Sequence, residues 1–314
     1  MPVLYIVVPC FNEQEVLPLT AKKLKEKLDS LKKNKKISES SKILFVNDGS
    51  RDKTGEIITE FYNNSDKTFC ALTLSRNYGH QNALIAGIEY AQQKADAIIT
   101  IDADLQDDID IIDEMLKKFK EGNEIVYGVR NDRKEDSAFK RSTAVLFYKI
   151  LRLLGAEIVS NHADFRLLGK KAAKALCSFS EVNLFLRGIV PMVGFKSTNV
   201  YYKREKRAAG VTKYPLKRMI SFGLNGVTSL SIKPIRLISG LGVIMLIISV
   251  LMGIYALISY FCGNYVSGWT SIILSIWAIG GLQLLSIGII GEYIGKIYLE
   301  TKRRPRYFIE KTED

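Results

Sequence analysis

Residues 98–108 read IITIDADLQDD, an apolar run that stops abruptly in five carboxyl or carboxamide groups: Asp102, Asp104, Gln106, Asp107 and Asp108. The apolar half predicts a buried strand, and its acidic end then lies at the sheet edge where open α/β folds bind their ligands. Oxygen donors of this kind suit hard divalent cations. Mg²⁺ takes one or two carboxylates and completes its shell with water and substrate phosphates, so a diphosphate-bearing molecule is the natural client of such a strand end. A D-x-D triplet on its own is also common on solvated loops, and its weight here comes from its position.

Around this strand, short apolar runs alternate with amphipathic helical patterns. Strands are expected near 3–9, 42–47, 69–75, 96–101 and 124–129, and helices near 13–33, 52–63, 79–94 and 108–121. That alternation implies βαβ units and a mostly parallel sheet. No G-x-G-x-x-G follows the first strand and no G-x-x-x-x-G-K-[ST] occurs anywhere, which argues against a dinucleotide-dependent oxidoreductase or a P-loop enzyme.

The net charge of +12 is unevenly distributed. Residues 1–129 carry 17 basic and 21 acidic side chains, residues 130–236 carry 22 and 7, and residues 237–314 carry 6 and 5. A basic middle third suits a polyanion, either nucleic acid or an anionic membrane face. The final third favours the membrane, because residues 237–291 contain no charged side chain and divide at CGNYVSG (262–268) into two apolar stretches. Each is long enough to cross a bilayer as a helix. Lys233 and Arg236 precede the first stretch, Lys296, Lys302, Arg303, Arg304 and Arg306 come after the second, and the connecting turn has no basic residue. The positive-inside rule then places both ends in the cytoplasm, with Tyr260, Tyr265 and Trp269 as an interfacial belt at the outer turn. No signal sequence is expected ahead of the first strand. The four cysteines, Cys10, Cys70, Cys177 and Cys262, lack C-x-x-C spacing and are read as reduced. With His80 and His162 the sole histidines, a histidine-rich metal centre is excluded.

Several further segments carry a resemblance. In order they are VVPCFNEQE (7–15), LFVNDGSRDKT (44–54), LSRNYGHQNALIAG (74–87), DADLQDD (102–108), ADFRLL (163–168), LRGIVPMVGF (186–195), RAAGVTKYP (207–215) and SIKPIRL (231–237). Together they resemble the polyprenyl-phosphate glycosyltransferases, an inverting, metal-dependent group within family 2 that includes dolichyl-phosphate mannose synthase and the bactoprenol glucosyltransferases. The resemblance implies an α/β, GT-A-like fold whose mostly parallel sheet has flanking helices, with amphipathic interface helices and two C-terminal transmembrane helices. It divides the chain into a cytosolic catalytic domain at 1–215, with a nucleotide-sugar half at 1–129 and an acceptor half at 130–215. Beyond these lie a juxtamembrane amphipathic helix at 216–234, two membrane helices within 235–292 and a cytoplasmic tail at 293–314. The basic amphipathic stretch 139–154 fits an interface helix or an ordinary helix packed on the sheet. The tail after Arg304 is expected to be loosely held.

The resemblance also implies roles for individual residues. Pro9, Asn12, Glu13, Asp48 and Arg76 would line the nucleotide-sugar pocket, and Asp102 would serve the ribose and diphosphate. Asp104 and Gln106 would hold Mg²⁺ or Mn²⁺. Asn47 stands where relatives commonly have a second acid, and DD comes after DADLQ where relatives have DP. Asp164 corresponds to the active-site acid near the acceptor, with a purely structural salt bridge to Arg166 as the plainer alternative. Arg130, Arg141, Arg207 and Lys213 would bind the acceptor phosphate. His80, where many relatives have lysine, is expected to act indirectly at most. The expected partners are a nucleotide sugar, a polyprenyl (undecaprenyl) phosphate and the inner membrane, with no nucleic acid, and a homo-oligomer is compatible with this reading. Two alternatives remain open. A processive polysaccharide synthase is disfavoured because neither Trp269 nor Trp277 lies in a Q-x-x-R-W motif, and a non-catalytic nucleotide-sugar-binding membrane protein is disfavoured by the intact acidic segments.

Overall fold

A computed structural model of the chain describes residues 1–64, 67–130, 162–181, 185–203 and 268–314, with scattered helical positions between 235 and 258. It separates into two units: Met1–Tyr148, Glu157–Leu216 and Arg304–Asp314 form one, and Lys149–Ala156 with Lys217–Arg303 the other.

The first unit is built on a sheet whose described strands are β1 (Leu4–Cys10), β2 (Lys42–Asn47), β3 (Phe69–Leu74), β4 (Ala97–Thr100), β5 (Ile125–Arg130), β6 (His162–Gly169), β7 (Ser197–Tyr202) and β8 (Ile309–Glu313). Their order is β7-β5-β6-β4-β1-β2-β3-β8. β1 runs parallel to β2 and β4, β2 to β3, and β5 to β7, whereas β6 lies antiparallel between β4 and β5 and β8 antiparallel beside β3. The sheet expected to be mostly parallel is therefore mixed, with four of these pairings parallel and three antiparallel. From β1 the chain winds outward through β2 and β3, then returns to the other side of β1 for β4, so the topological switch point, where such sheets hold ligands, falls between β1 and β4.

The two-residue period of the strands divides the interior into two cores. Leu4, Ile6, Val8 and Cys10 of β1 pack with Leu24 and Leu28 of α1 (Leu17–Lys33) and with Ile112, Met115 and Leu116 of α4 (Ile112–Lys120). On the opposite face Tyr5 and Val7 meet Leu84, Ile85 and Ile88 of α3 (His80–Ala91). α2 (Thr54–Asn64) joins the first core through Ile58, while α5 (Lys170–Cys177) and α6 (Leu186–Met192) join the second. Cys10 and Cys70 are buried, and Cys10, Cys70 and Cys177 are free thiols.

Pro9 is tolerated inside a sheet for a local reason. The Val7 carbonyl accepts the Ile101 N–H on the β4 side, so Pro9, two residues on, turns its nitrogen the same way, where β4 has already ended. No ladder bond is lost.

The tail is not loosely held. β8 covers the free edge of β3, the Phe308 carbonyl accepts the Ser75 N–H, and the Asp314 side chain pairs with Lys42 and Lys94. Just before the strand, Arg306 and Tyr307 both reach Glu89 on α3. Main-chain pairing and charge, neither of which leaves a hydrophobic period, anchor this segment, so its composition carries no sign of order.

In the second unit the described helix is α7 (Trp269–Thr301), 33 residues or about 50 Å long. Its Ile272, Ile276, Leu284, Leu285 and Ile287 are exposed. Within it Ile279–Thr301 is, among the described residues, the one helix long and apolar enough to cross a bilayer. Among the described positions of the first expected span, Val243, Ile247, Leu251 and Ile258 are helical and exposed. The remainder of that span, the stretch 139–154 and the juxtamembrane segment 216–234 lie outside the described residues.

Candidate active site

Two features stand at the C-terminal edge of the sheet. The first is a cleft of about 360 Å³ beyond β1, β2 and β3, walled by residues that include Phe11, Asn47, Gly49, Arg51 and Arg76. Its floor is stitched together by short polar contacts. Asn12, at φ 53°, accepts the Arg51 N–H on its side chain and donates its own N–H to Ser50 Oγ. Asparagine is among the few residues that adopt this left-handed conformation readily. The Glu13 N–H is held by Thr54 Oγ1. Gly49 adopts φ +61°, and a Cβ there would stand 2.4 Å from the Arg76 carbonyl carbon, so only glycine lets these two loops close on each other. Arg76 lies over the Tyr78 ring at 4.5 Å.

Of the residues expected to meet the nucleotide, Arg76 lines this cleft directly, whereas Asn12 and Glu13 shape its loops and Pro9 is buried in β1. Asp48 is 2% exposed, and its two oxygens accept the Tyr78 N–H at 2.7 Å and the Gly79 N–H at 2.9 Å. In this structure it fastens the loop that enters α3.

The second feature is the acidic strand end. Asp104 Oδ1 accepts the Gln106 N–H at 3.2 Å, and Leu105 between them sits at φ 55°, so Asp104 and Gln106 share one tight turn. Thr20 of α1 holds the adjoining Ala103 carbonyl at 2.7 Å. The next two acids serve the fold. Asp108 accepts the Asp110 N–H at the start of a short helical turn. Asp107, 4% exposed, accepts from Tyr202 and from Arg130, whose Nη2 is 3.0 Å away. Arg130, expected at the acceptor phosphate, is thus tied to Asp107, and Arg141, Arg207 and Lys213 lie outside the described residues.

Asp102 and Asp164 come together because β4 and β6 pair antiparallel with Thr100 opposite Arg166. Asp164 accepts Arg166 Nη2 at 2.6 Å and Arg187 Nη2 at 3.2 Å, and His80 Nε2 stands 3.5 Å from both Asp164 and Asp102. The salt bridge to Arg166 is therefore real, but it belongs to a larger network. Burial opposes ionisation of Asp164, yet Arg187, His80 and Arg166 outweigh it and hold the group well below the usual carboxylate range. Desolvation disfavours the His80 imidazolium, but the hydrogen bond to Asp164 and the charge of Asp102 raise it to about 8. Burial pushes Asp102 up to about 6, against the pull of His80.

His80 and Arg187 join this network, and neither is given a place in it by the sequence motifs. Arg187 leaves one signal: it is the sole charged residue between Glu181 and Lys196, in a helix otherwise made of apolar residues, glycine and proline. His80 leaves none, because only the fold carries the start of α3 up to β4 and β6.

A divalent cation fits this end of the sheet. The donors Asp102, Asp104 and Gln106 are all oxygen, and Asp102 Oδ1 is buried without a hydrogen bond. His80, Asp102 and Asp164 also have ligand atoms within 4.8 Å of one another. Asp164, however, already faces two guanidinium groups, which favours the Asp102 side of the cluster for an added positive charge.

The chain belongs to glycosyl transferase family 2, whose model matches residues 5–177, a span that includes β1 from Tyr5 onward, β2, β3 and the acidic turn. It is a glycosyltransferase. It is 53% identical over 309 residues to the uncharacterized glycosyltransferase YkoT of Bacillus subtilis (strain 168), covering 98% of this chain and 91% of that one. It is 38% identical to the prophage bactoprenol glucosyl transferase homolog of Escherichia coli (strain K12), with 98% of both chains covered. The bactoprenol glucosyl transferase of Shigella phage SfX is 39% identical over 97% of this chain and 98% of its own.

Proposed function

We propose that this enzyme transfers a hexose, with glucose from a UDP-linked donor as the first choice, to a polyprenyl phosphate at the cytoplasmic face of the inner membrane. Two observations beyond the family support the lipid acceptor: relatives named for bactoprenol match end to end, and a long exposed apolar helix lies C-terminal to the catalytic residues. The single observation that carries the chemistry is the setting of Asp164, whose oxygens face Arg166 Nη2 at 2.6 Å, Arg187 Nη2 at 3.2 Å and His80 Nε2 at 3.5 Å. A carboxylate held far below its ordinary range by two arginines and a histidine is a weak base. Glycosylating a neutral hydroxyl calls for a strong base, but a lipid phosphate, with a second pKa of about 6 by analogy with phosphorylated side chains, is already largely dianionic at neutral pH.

In this reading one acceptor phosphate oxygen attacks the anomeric carbon, the bond from that carbon to the diphosphate breaks, and nucleoside diphosphate leaves with both bonding electrons. Configuration inverts, and no protein nucleophile is used. Asp164 orients His80 and Arg187 at the reacting edge. Asp102, Asp104 and Gln106 would hold Mg²⁺ or Mn²⁺, which supplies neutralising charge for the departing diphosphate. Arg130, Arg141, Arg207 and Lys213 are assigned to the acceptor phosphate, since charge-assisted contacts are what a second anion beside a diphosphate requires.

Arg207→Ala tests the acceptor assignment. Loss of one such contact costs about 1.5–3 kcal/mol, so the dependence on polyprenyl phosphate should shift roughly tenfold or more. Binding of nucleoside diphosphate and Mg²⁺, measured by calorimetry in detergent, should stay unchanged. Loss of nucleotide binding with a wild-type acceptor dependence would refute the assignment.

The membrane part of the reading is a two-span hairpin within residues 235–292, with both termini and the catalytic unit in the cytoplasm. A cysteine introduced at Asn264 should react with an impermeant thiol reagent added outside intact cells, while one at Lys311 should not. Protection at 264 with labelling at 311 would reverse the topology.

A further inference from the structure

The C-terminal strand does more than cover a sheet edge. Along β8 the register against β3 runs Glu313 with Ala71, Thr312 with Leu72 and Lys311 with Thr73, and then jumps to Ile309 with Leu74. Glu310 is the residue left over. An extra residue at such a bulge has no partner across the ladder, and bulges at sheet edges commonly re-aim a side chain. Here it points the chain's end at the donor site: Glu310 lines the same cleft as Phe11, Asn47, Arg51 and Arg76, and among the described residues it is the one carboxylate on that wall. It is exposed, and among the described residues no hydrogen bond or ion pair engages its side chain. Two neighbouring acceptor groups already take backbone amides. Both Asp48 oxygens take backbone amides, and Asn47 Oδ1 takes the Ser50 N–H at 3.0 Å.

A nucleobase lying in this cleft presents an edge of donors and acceptors, and a carboxylate can only accept. We infer that Glu310 is a specificity-determining residue of the donor site, accepting a hydrogen bond from a ring N–H on the edge of the nucleobase. It therefore selects nucleoside diphosphates whose base carries that proton, as uracil does at N3 and guanine at N1, and rejects cytosine, whose N3 is itself an acceptor. The inference rests on the reading of the cleft as a nucleotide-sugar site. It makes base recognition depend on a segment that reaches the cleft only after the long apolar helix.

The test is calorimetry on the full-length protein in detergent with Mg²⁺ and UDP, GDP or CDP as probes. Wild type should bind UDP or GDP more tightly than CDP. Glu310→Ala should weaken the preferred diphosphate roughly tenfold to a hundredfold, as expected for a lost hydrogen bond to a charged group, and bring the three affinities together. Glu310→Gln, which keeps an acceptor and adds an N–H₂ donor, should recover part of the UDP affinity and raise that of CDP. Lys311→Ala, a neighbouring change on the same strand away from the cleft, should leave all three affinities as they are. The inference is overturned if Glu310→Ala retains wild-type affinities and ratios, or if all three fall by the same factor, which would mark β8 as a support rather than a reader of the base. If wild type binds none of the three, the cleft is not a donor site, and the proposed function fails before the role of Glu310 arises.

Discussion

Asp164→Ala is expected to lower the stability of the catalytic unit by about 3–5 kcal/mol, the range for breaking a buried ion pair by removing one partner. The penalty falls on Arg166, which is 2% exposed and whose Nη2 has Asp164 as its carboxylate at 2.6 Å. Among the described residues its Nη1 has no hydrogen-bond partner, so none of them stands ready as a second acceptor. The measurement is denaturation in detergent, tracked by a signal from the catalytic unit. Asp164→Ala with Arg166→Met should recover much of the loss, because the stranded charge is removed together with its partner. A single variant as stable as wild type would show that Asp164 does not neutralise the buried arginine. Activity discriminates further: Asp164→Asn keeps a side-chain oxygen but loses the charge that holds His80 and Arg187, and transfer should fall even where the fold survives.

Asp104→Asn is expected to reduce transfer by at least about a hundredfold, the scale on which electrostatic support for a leaving group is lost. The fold should tolerate it, since the asparagine amide oxygen can still accept the Gln106 N–H that Asp104 accepts at 3.2 Å. The tight turn through Leu105 therefore stays intact while its charge disappears. Excess chelator should reproduce the defect in the wild-type enzyme, and added Mg²⁺ or Mn²⁺ should reverse it. Full activity with the cations demonstrably removed would end the metal-dependent reading.

Much of this architecture is legible in the amino-acid sequence. The five strands and four helices expected in residues 1–129 all form, within a few residues of their expected ends, because each strand is a short apolar run and each helix carries a buried stripe such as Leu17, Leu24, Leu28 and Leu31. The acidic turn is legible for the same reason, as the point where an apolar run ends. What the fold does with each acid is not. Asp107 and Asp108 have the composition of ligands, yet one is consumed by Arg130 and Tyr202 and the other by a backbone N–H. Those partners are set by contacts up to 95 residues apart in sequence. His80 joins Asp102 and Asp164 by the same kind of long-range placement. β8 escapes notice because its attachment is main-chain pairing to an open edge, for which alternating Glu, Lys and Thr residues serve as well as apolar ones.

Transfer of a sugar from a nucleotide to a lipid phosphate can be measured by incubating the purified full-length protein with undecaprenyl phosphate, Mg²⁺ and radiolabelled UDP-glucose, UDP-galactose, UDP-N-acetylglucosamine or GDP-mannose in turn, then partitioning the products between water and organic solvent. Label should enter the organic phase from a UDP-hexose, dependent on the lipid phosphate and absent with Asp104→Asn. Folded, inserted protein that labels no lipid from any of these donors, or that builds a water-soluble polymer without the lipid phosphate, would contradict that transfer.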